Sequence, residues 1–134
     1  MNGLFAFLIL LATMHGSGYW QTVAMGPITH YDCHEHCRKL TRSEEPYDPA
    51  SYTIAVDDSL WPTLAGRWVR ITNLETGKIF LVRVNDSGYL AEADIAGDLP
   101  EETWVLISGK GKREGVFEGK IEMPKEEPCQ TKSP

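Results

Sequence analysis

The chain has 134 residues, 42% of them hydrophobic, and a formal net charge of −6. That length suits one domain, and the apolar fraction is enough for a packed core, which excludes wholesale disorder. The acidic balance and the lack of a basic run exclude a phosphate-tracking surface, so no nucleic-acid partner is expected.

Residues 4–14 read LFAFLILLATM, uncharged and apolar. The run is too short for a membrane span, which needs about 20 residues. Gly16, Ser17 and Gly18 follow it, as small residues do at a cleavage site. Residues 1–18 are therefore expected to be a signal peptide, and the mature protein to be exported: periplasmic, cell-wall-associated or secreted. Residues 19–27 read as a linker, residues 28–123 as the domain and residues 124–134 as a polar tail. A first strand is expected at 28–32. Residues 38–51 are polar, with Pro46 and Pro49, and read as a loop.

A short β-rich run follows at 52–56. The clearest strands are 67–72 and 78–85, where Val69 and Ile71 share one face and Phe80, Val82 and Val84 another. Asn73-Leu74-Glu75-Thr76-Gly77 joins them as a hairpin loop ending on the residue that tolerates positive φ. One short helix is expected at 100–108, with Asp98 and Glu101 at capping-box spacing and Gly109 as its stop. Trp104 and Ile107, three apart, face the core. A last strand is expected at 116–123. Many short strands separated by Gly and Pro predict a closed barrel or sandwich.

Cys33, Cys37 and Cys129 allow one disulfide in an oxidising compartment. Pairing Cys129 with Cys33 or Cys37 would staple the tail to the start of the domain; spacing does not choose between them. His30, Cys33, His34, His36 and Cys37 lie within residues 29–39, THYDCHEHCRK. C-x3-C with interleaved His is not a structural zinc spacing and no second ligand pair exists, so no metal and no cofactor are expected.

Residues 69–94, VRITNLETGKIFLVRVNDSGYLAEAD, resemble the double-psi β-barrel shared by rare lipoprotein A, expansins, the three-aspartate domain and lytic transglycosylase A. Rare lipoprotein A typically reads VRVTNLxNGRxVVVRVNDRGPF, followed by an Asp in an IDLS-like segment. TRSEEPYDPASYTIAV, at 41–56, resembles its TASGExFDPxxxTAAH. The resemblance covers about 70 residues, 41–107. It implies a mainly β fold, a six-stranded double-psi β-barrel with one or two short helices. It places Asp86 on the Asp of VND and Asp94 on the general acid-base Asp, with Asp57 on the first Asp of the three-aspartate pattern. Glu45 and Asp48 keep acidic positions of rare lipoprotein A, whose cleft histidine is replaced by Val56. THYDC also resembles the TRYWDCC opening of family-45 endoglucanases, where the Asp matching Asp32 is the base.

The catalytic candidates are therefore Asp94 and Asp86, with Asp57, Glu45, Asp48 and Asp32 as a supporting acidic cleft. Tyr31, Trp61 and Tyr89 are candidate sugar platforms, because an aromatic face packs on the C–H face of a pyranose. The resemblance implies action on peptidoglycan or another polysaccharide, and the protein is expected to be a monomer. The leading expectation is a lytic-transglycosylase-like enzyme. The alternatives are an expansin-like barrel that binds without cutting and an inverting endoglucanase-like hydrolase.

Overall fold

The computed structural model describes residues 19–32 and 40–125. The expected signal peptide, all three cysteines, His34, His36 and most of the tail lie outside the described residues. Six strands form a closed barrel: β1 (Trp20–Tyr31), β2 (Thr53–Asp57), β3 (Trp68–Asn73), β4 (Ile79–Gly88), β5 (Gly97–Pro100) and β6 (Phe117–Pro124). Their order around the barrel is β1-β5-β2-β4-β3-β6, closing β6 onto β1. The β1–β5 and β2–β4 pairs are parallel and the remainder antiparallel. Two short helices accompany them, α1 (Trp61–Leu64) and α2 (Glu101–Ser108). The architecture is the expected mainly β, six-stranded double-psi barrel.

The β3–β4 hairpin forms where it is expected, because Asn73 organises its own turn. Its Oδ1 accepts from the backbone N–H groups of Glu75 at 2.9 Å and Thr76 at 3.3 Å. Gly77 takes φ 78°, in the left-handed region. Asn73 Nδ2 donates to the Ile107 carbonyl at 3.0 Å, which ties the hairpin to α2. Val69, Ile71, Val82 and Val84 are fully buried, as strand alternation demands. From α2, Trp104 and Ile107 enter the same core, and the Trp104 indole N–H donates to the Ile28 carbonyl at 2.9 Å. Gly109 ends α2 in the left-handed conformation.

Two expectations are corrected. Residues 20–27 are not a linker: they form the first two-thirds of β1 and pair with β6 from Trp20↔Pro124 to Pro27↔Glu118. The cause lies in packing, since Trp20 is buried with the Arg70 guanidinium 4.7 Å from its ring centroid, and Arg70 is in turn paired with buried Glu122 at 2.8 Å. The strands of the barrel therefore run from Trp20 to Pro124. The capping box at α2 also does not form. The N-cap is Pro100, with no side-chain cap, because Asp98 lies within β5 and its carboxylate is engaged by Thr29.

Candidate functional site

Asp98 is a half-buried carboxylate of β5. It sits beside Thr29 in the parallel β1–β5 pair and opposite Ala55 in a bridge to β2. Its neighbours in β5 explain why it turns away from the core. A Cβ on Gly97 would meet Ile121 Cδ1 at 2.8 Å and Ile54 Cδ1 at 2.9 Å, and Leu99 is fully buried, so those two positions take the packed face. Asp98, between them, takes the other. The Thr29 hydroxyl donates to Asp98 Oδ1 at 2.8 Å. Burial pushes the Asp98 carboxyl up from its ordinary 3.8 to about 6, helped by the negative charge of Asp86 and opposed by Thr29 and His30.

Asp86, whose charge is felt by Asp98, follows a bulge in β4. The parallel β2–β4 register runs Ile54↔Val84 and then Ala55↔Asp86, leaving Asn85 as the extra residue. A bulge re-aims the side chain that follows it. Asp86 Oδ1 accepts from the backbone N–H groups of Arg42 at 3.1 Å and Ser87 at 3.0 Å. Asn85 is itself buried, and its Oδ1 has no hydrogen-bond partner among the described residues.

Tyr31, at the end of β1, completes the group. Its ring packs on Tyr47, centroids 5.2 Å apart, and the Tyr47 hydroxyl donates to the Tyr31 carbonyl at 2.6 Å. The Tyr31 hydroxyl is buried and has no hydrogen-bond partner among the described residues. Burial, followed by the charges of Asp86 and Asp98, raises its phenol well above the ordinary tyrosine range. A hydroxyl of this kind, beside two carboxylates, is a polar recess short of a partner.

The rim is built by the loop that enters β2. The Arg42 guanidinium lies 4.8 Å from the Trp61 ring centroid and donates to Ser87 Oγ at 2.7 Å, while Ser87 donates to Asp58 at 2.6 Å. Trp61, half-buried, is thus linked through Arg42 to Asp86. Tyr89, directly after β4, is 74% exposed.

The other candidate acids have separate tasks. Glu45 accepts both guanidinium nitrogens of Arg83 at 2.6 Å, which holds its carboxyl below the usual range. Asp48 caps its own turn by accepting from Ala50 N at 2.9 Å. Asp32 is exposed at the end of β1, and its charge is felt by Tyr47 and Lys112. Asp57 Oδ2 accepts from Ser59 N and Oγ, and Oδ1 accepts from Ala91 N at 2.8 Å. Those bonds pull its carboxyl down to about 2. Asp94 is exposed on a left-handed turn, φ 59°, and lines a hollow with Asp57 rather than joining Asp86. The position matching the family histidine, Val56, is fully buried in the core. Among the described residues no three His, Cys, Asp or Glu converge to hold a metal.

Asp98 is not among the sequence-based candidates, because its spacing of three from Glu101 reads as a helix cap.

No protein-family model matches the chain, and no curated protein matches it. Solved structures do. The expansin of Clavibacter michiganensis in its apo form is 18% identical with a TM-score of 0.55, covering 81% of this chain and 52% of that one. An aspartate-to-asparagine mutant of that expansin, in complex with cellohexaose, is 17% identical with a TM-score of 0.56 and the same coverage. A papain inhibitor from Streptomyces is 18% identical with a TM-score of 0.54, covering 75% of this chain and 94% of that one. The chain spans about half the length of the expansin structures it matches. At these identities the likeness is one of fold: the chain is built on the same barrel as an expansin.

Proposed function

We propose that this protein is an exported, monomeric, cell-wall-active barrel that binds polysaccharide across the cleft formed by Asp98, Asp86 and Tyr31. The observation that carries this reading is the buried Tyr31 hydroxyl without a partner, beside a carboxyl that burial keeps partly protonated. Sugar hydroxyls donate and accept at once, and so satisfy both groups. Exposed Tyr89 and half-buried Trp61 offer aromatic faces at the rim. The likeness to an expansin structure that holds cellohexaose supports a glucan or a related cell-wall glycan as the ligand. Binding without cutting is the favoured form, since Val56 fills the place of the family histidine.

A cutting form has one observation in its favour. With a carboxyl at about 6, roughly a tenth of Asp98 is protonated at pH 7, enough for a general acid. In a lytic-transglycosylase-like reaction that acid protonates the glycosidic oxygen, and the muramyl hydroxyl closes an anhydro ring as the carboxylate takes its proton. We assign that role to Asp98 in preference to Asp94, with Asp86 raising its proton affinity.

Co-sedimentation of purified protein with microcrystalline cellulose and with peptidoglycan, followed by mass analysis of soluble products, tests both forms. Retention without products supports the binding barrel. Anhydromuramyl products that vanish in Asp98→Asn support the cutting form. A protein that neither is retained on nor cuts either polymer is not a glycan-active barrel.

A further inference from the structure

The hollow shared by Asp57 and Asp94, of about 270 Å³, is lined by Val23 and Met25 of β1, Asp57 at the end of β2, Leu60 after it, and Asp94 and Ile95 before β5. Its volume is several times that of one water, enough for a long side chain. It lies along an open strand edge. β1 pairs with β6 from Trp20 to Ile28, but with β5 only from Ile28 to Tyr31. On the side away from β6, residues 21–26 have no strand neighbour among the described residues.

Exposed edges are usually blunted by charge, by proline or by a bulge. Residues 21–26, Gln-Thr-Val-Ala-Met-Gly, carry no charge and no proline. The register slips between Thr22 and Ala24, so Val23 is a bulged residue, and that is the edge's one such device. Met25 stands 67% exposed over the hollow. Opposite this uncharged edge are two carboxylates, Asp57 and Asp94, and among the described residues no Lys, Arg or His lines the hollow. A second copy of β1 is a poor occupant, because residues 20–29 bring no cation to those carboxylates.

We propose that this edge and hollow form a docking site for an extended segment of a partner protein, which adds a strand to β1 at residues 21–26 and places a Lys or Arg side chain in the hollow beside Asp57 and Asp94. Main-chain bonds to the edge supply affinity and the acidic hollow supplies selectivity, the division of labour of strand addition. The site is separate from the Asp98 cleft and does not depend on the glycan reading.

The test is fluorescence anisotropy with a labelled, N-acetylated peptide of alternating Val and Thr with one central Lys. Two controls accompany it: the same peptide with central Glu, and one N-methylated at every second amide. The Lys peptide is expected to bind and the Glu peptide to bind at least ~10-fold more weakly, since like-charge juxtaposition is strongly disfavoured. N-methylation on the bonding edge is expected to abolish binding, and Asp94→Asn to weaken the Lys peptide several-fold. Met25→Lys, at an exposed position, is expected to abolish binding while leaving retention on polysaccharide unchanged. Amide shifts on binding should centre on residues 21–26. Absence of binding by the Lys peptide, equal binding of Lys and Glu peptides, tolerance of N-methylation, or a dimer that forms through this edge instead would each overturn the proposal.

Discussion

Replacing Asp98 by asparagine probes the half-buried carboxyl that neighbours Asp86 and Tyr31. In the folded protein this group titrates at about 6; in the unfolded chain it titrates near the ordinary aspartate value of about 3.9. Between those values the native state binds more protons than the unfolded state, so stability falls as pH rises from about 4 to about 6. Above that window the wild type carries the full cost of an ionised, desolvated Asp98, on the order of 3 kcal/mol for a difference of about two pH units. Asparagine keeps an Oδ1 acceptor for the Thr29 hydroxyl and never ionises. Its amide adds a cost of about 1–3 kcal/mol if left unbonded, but that cost does not vary with pH. The diagnostic is therefore the difference in unfolding free energy between variant and wild type, measured by urea denaturation at about pH 4 and about pH 7.5. The difference should move by up to about 3 kcal/mol in favour of Asp98→Asn as pH rises. A difference that stays constant across this range, or one that moves in favour of the wild type, would refute the burial argument.

Asp86→Asn removes the like charge facing Asp98 and should lower the Asp98 midpoint below about 6 in a carboxyl carbon NMR titration; an unchanged midpoint would separate the two residues. Asp57 should remain ionised down to about 2 in the same experiment, because Ser59 and Ala91 donate to its charged form. Its contribution to stability is present above the unfolded aspartate range and lost as pH falls through about 2, so an Asp57 midpoint in the ordinary range would contradict the bonding seen here. Trp104→Phe deletes the donor to the buried Ile28 carbonyl. It should cost about 1–3 kcal/mol in urea unfolding, and a loss inside the measurement error would show that the carbonyl finds another donor.

Much of the barrel was legible because local chemistry and tertiary pairing agree. Val69, Ile71, Val82 and Val84 alternate as half-buried strands do, and Asn73 and Gly77 supply the turn between them. Trp104, Ile107 and Gly109 mark α2 and its end. The failures fall where a distant partner decides the outcome. Residues 20–27 show no clean alternation and end in Gly-Pro, so their strand is set by β6 and by the Trp20–Arg70 stack across the barrel. β5 is four residues long, too short for periodicity, and Asp98 at its centre has the spacing of a helix cap. The capping pattern masked the proposed site residue: the same Asp, held in a parallel pair with β1, bonds Thr29 and feels the charge of Asp86 instead of capping the helix. Of the remaining candidate acids, Glu45 was marked for its position but serves an ion pair with Arg83, which sequence spacing does not reveal.

The central claim, that glycan seats on Asp98, Asp86 and Tyr31, is tested most directly by titrating isotope-labelled protein with cellohexaose and with soluble peptidoglycan fragments while following amide and side-chain shifts. The account predicts saturable shifts centred on Tyr31, Asp86 and Asp98, extending to Trp61 and Tyr89, and lost when Tyr31 is replaced by Phe. Shifts confined to another face of the barrel, or saturable binding that Tyr31→Phe leaves intact, would contradict it.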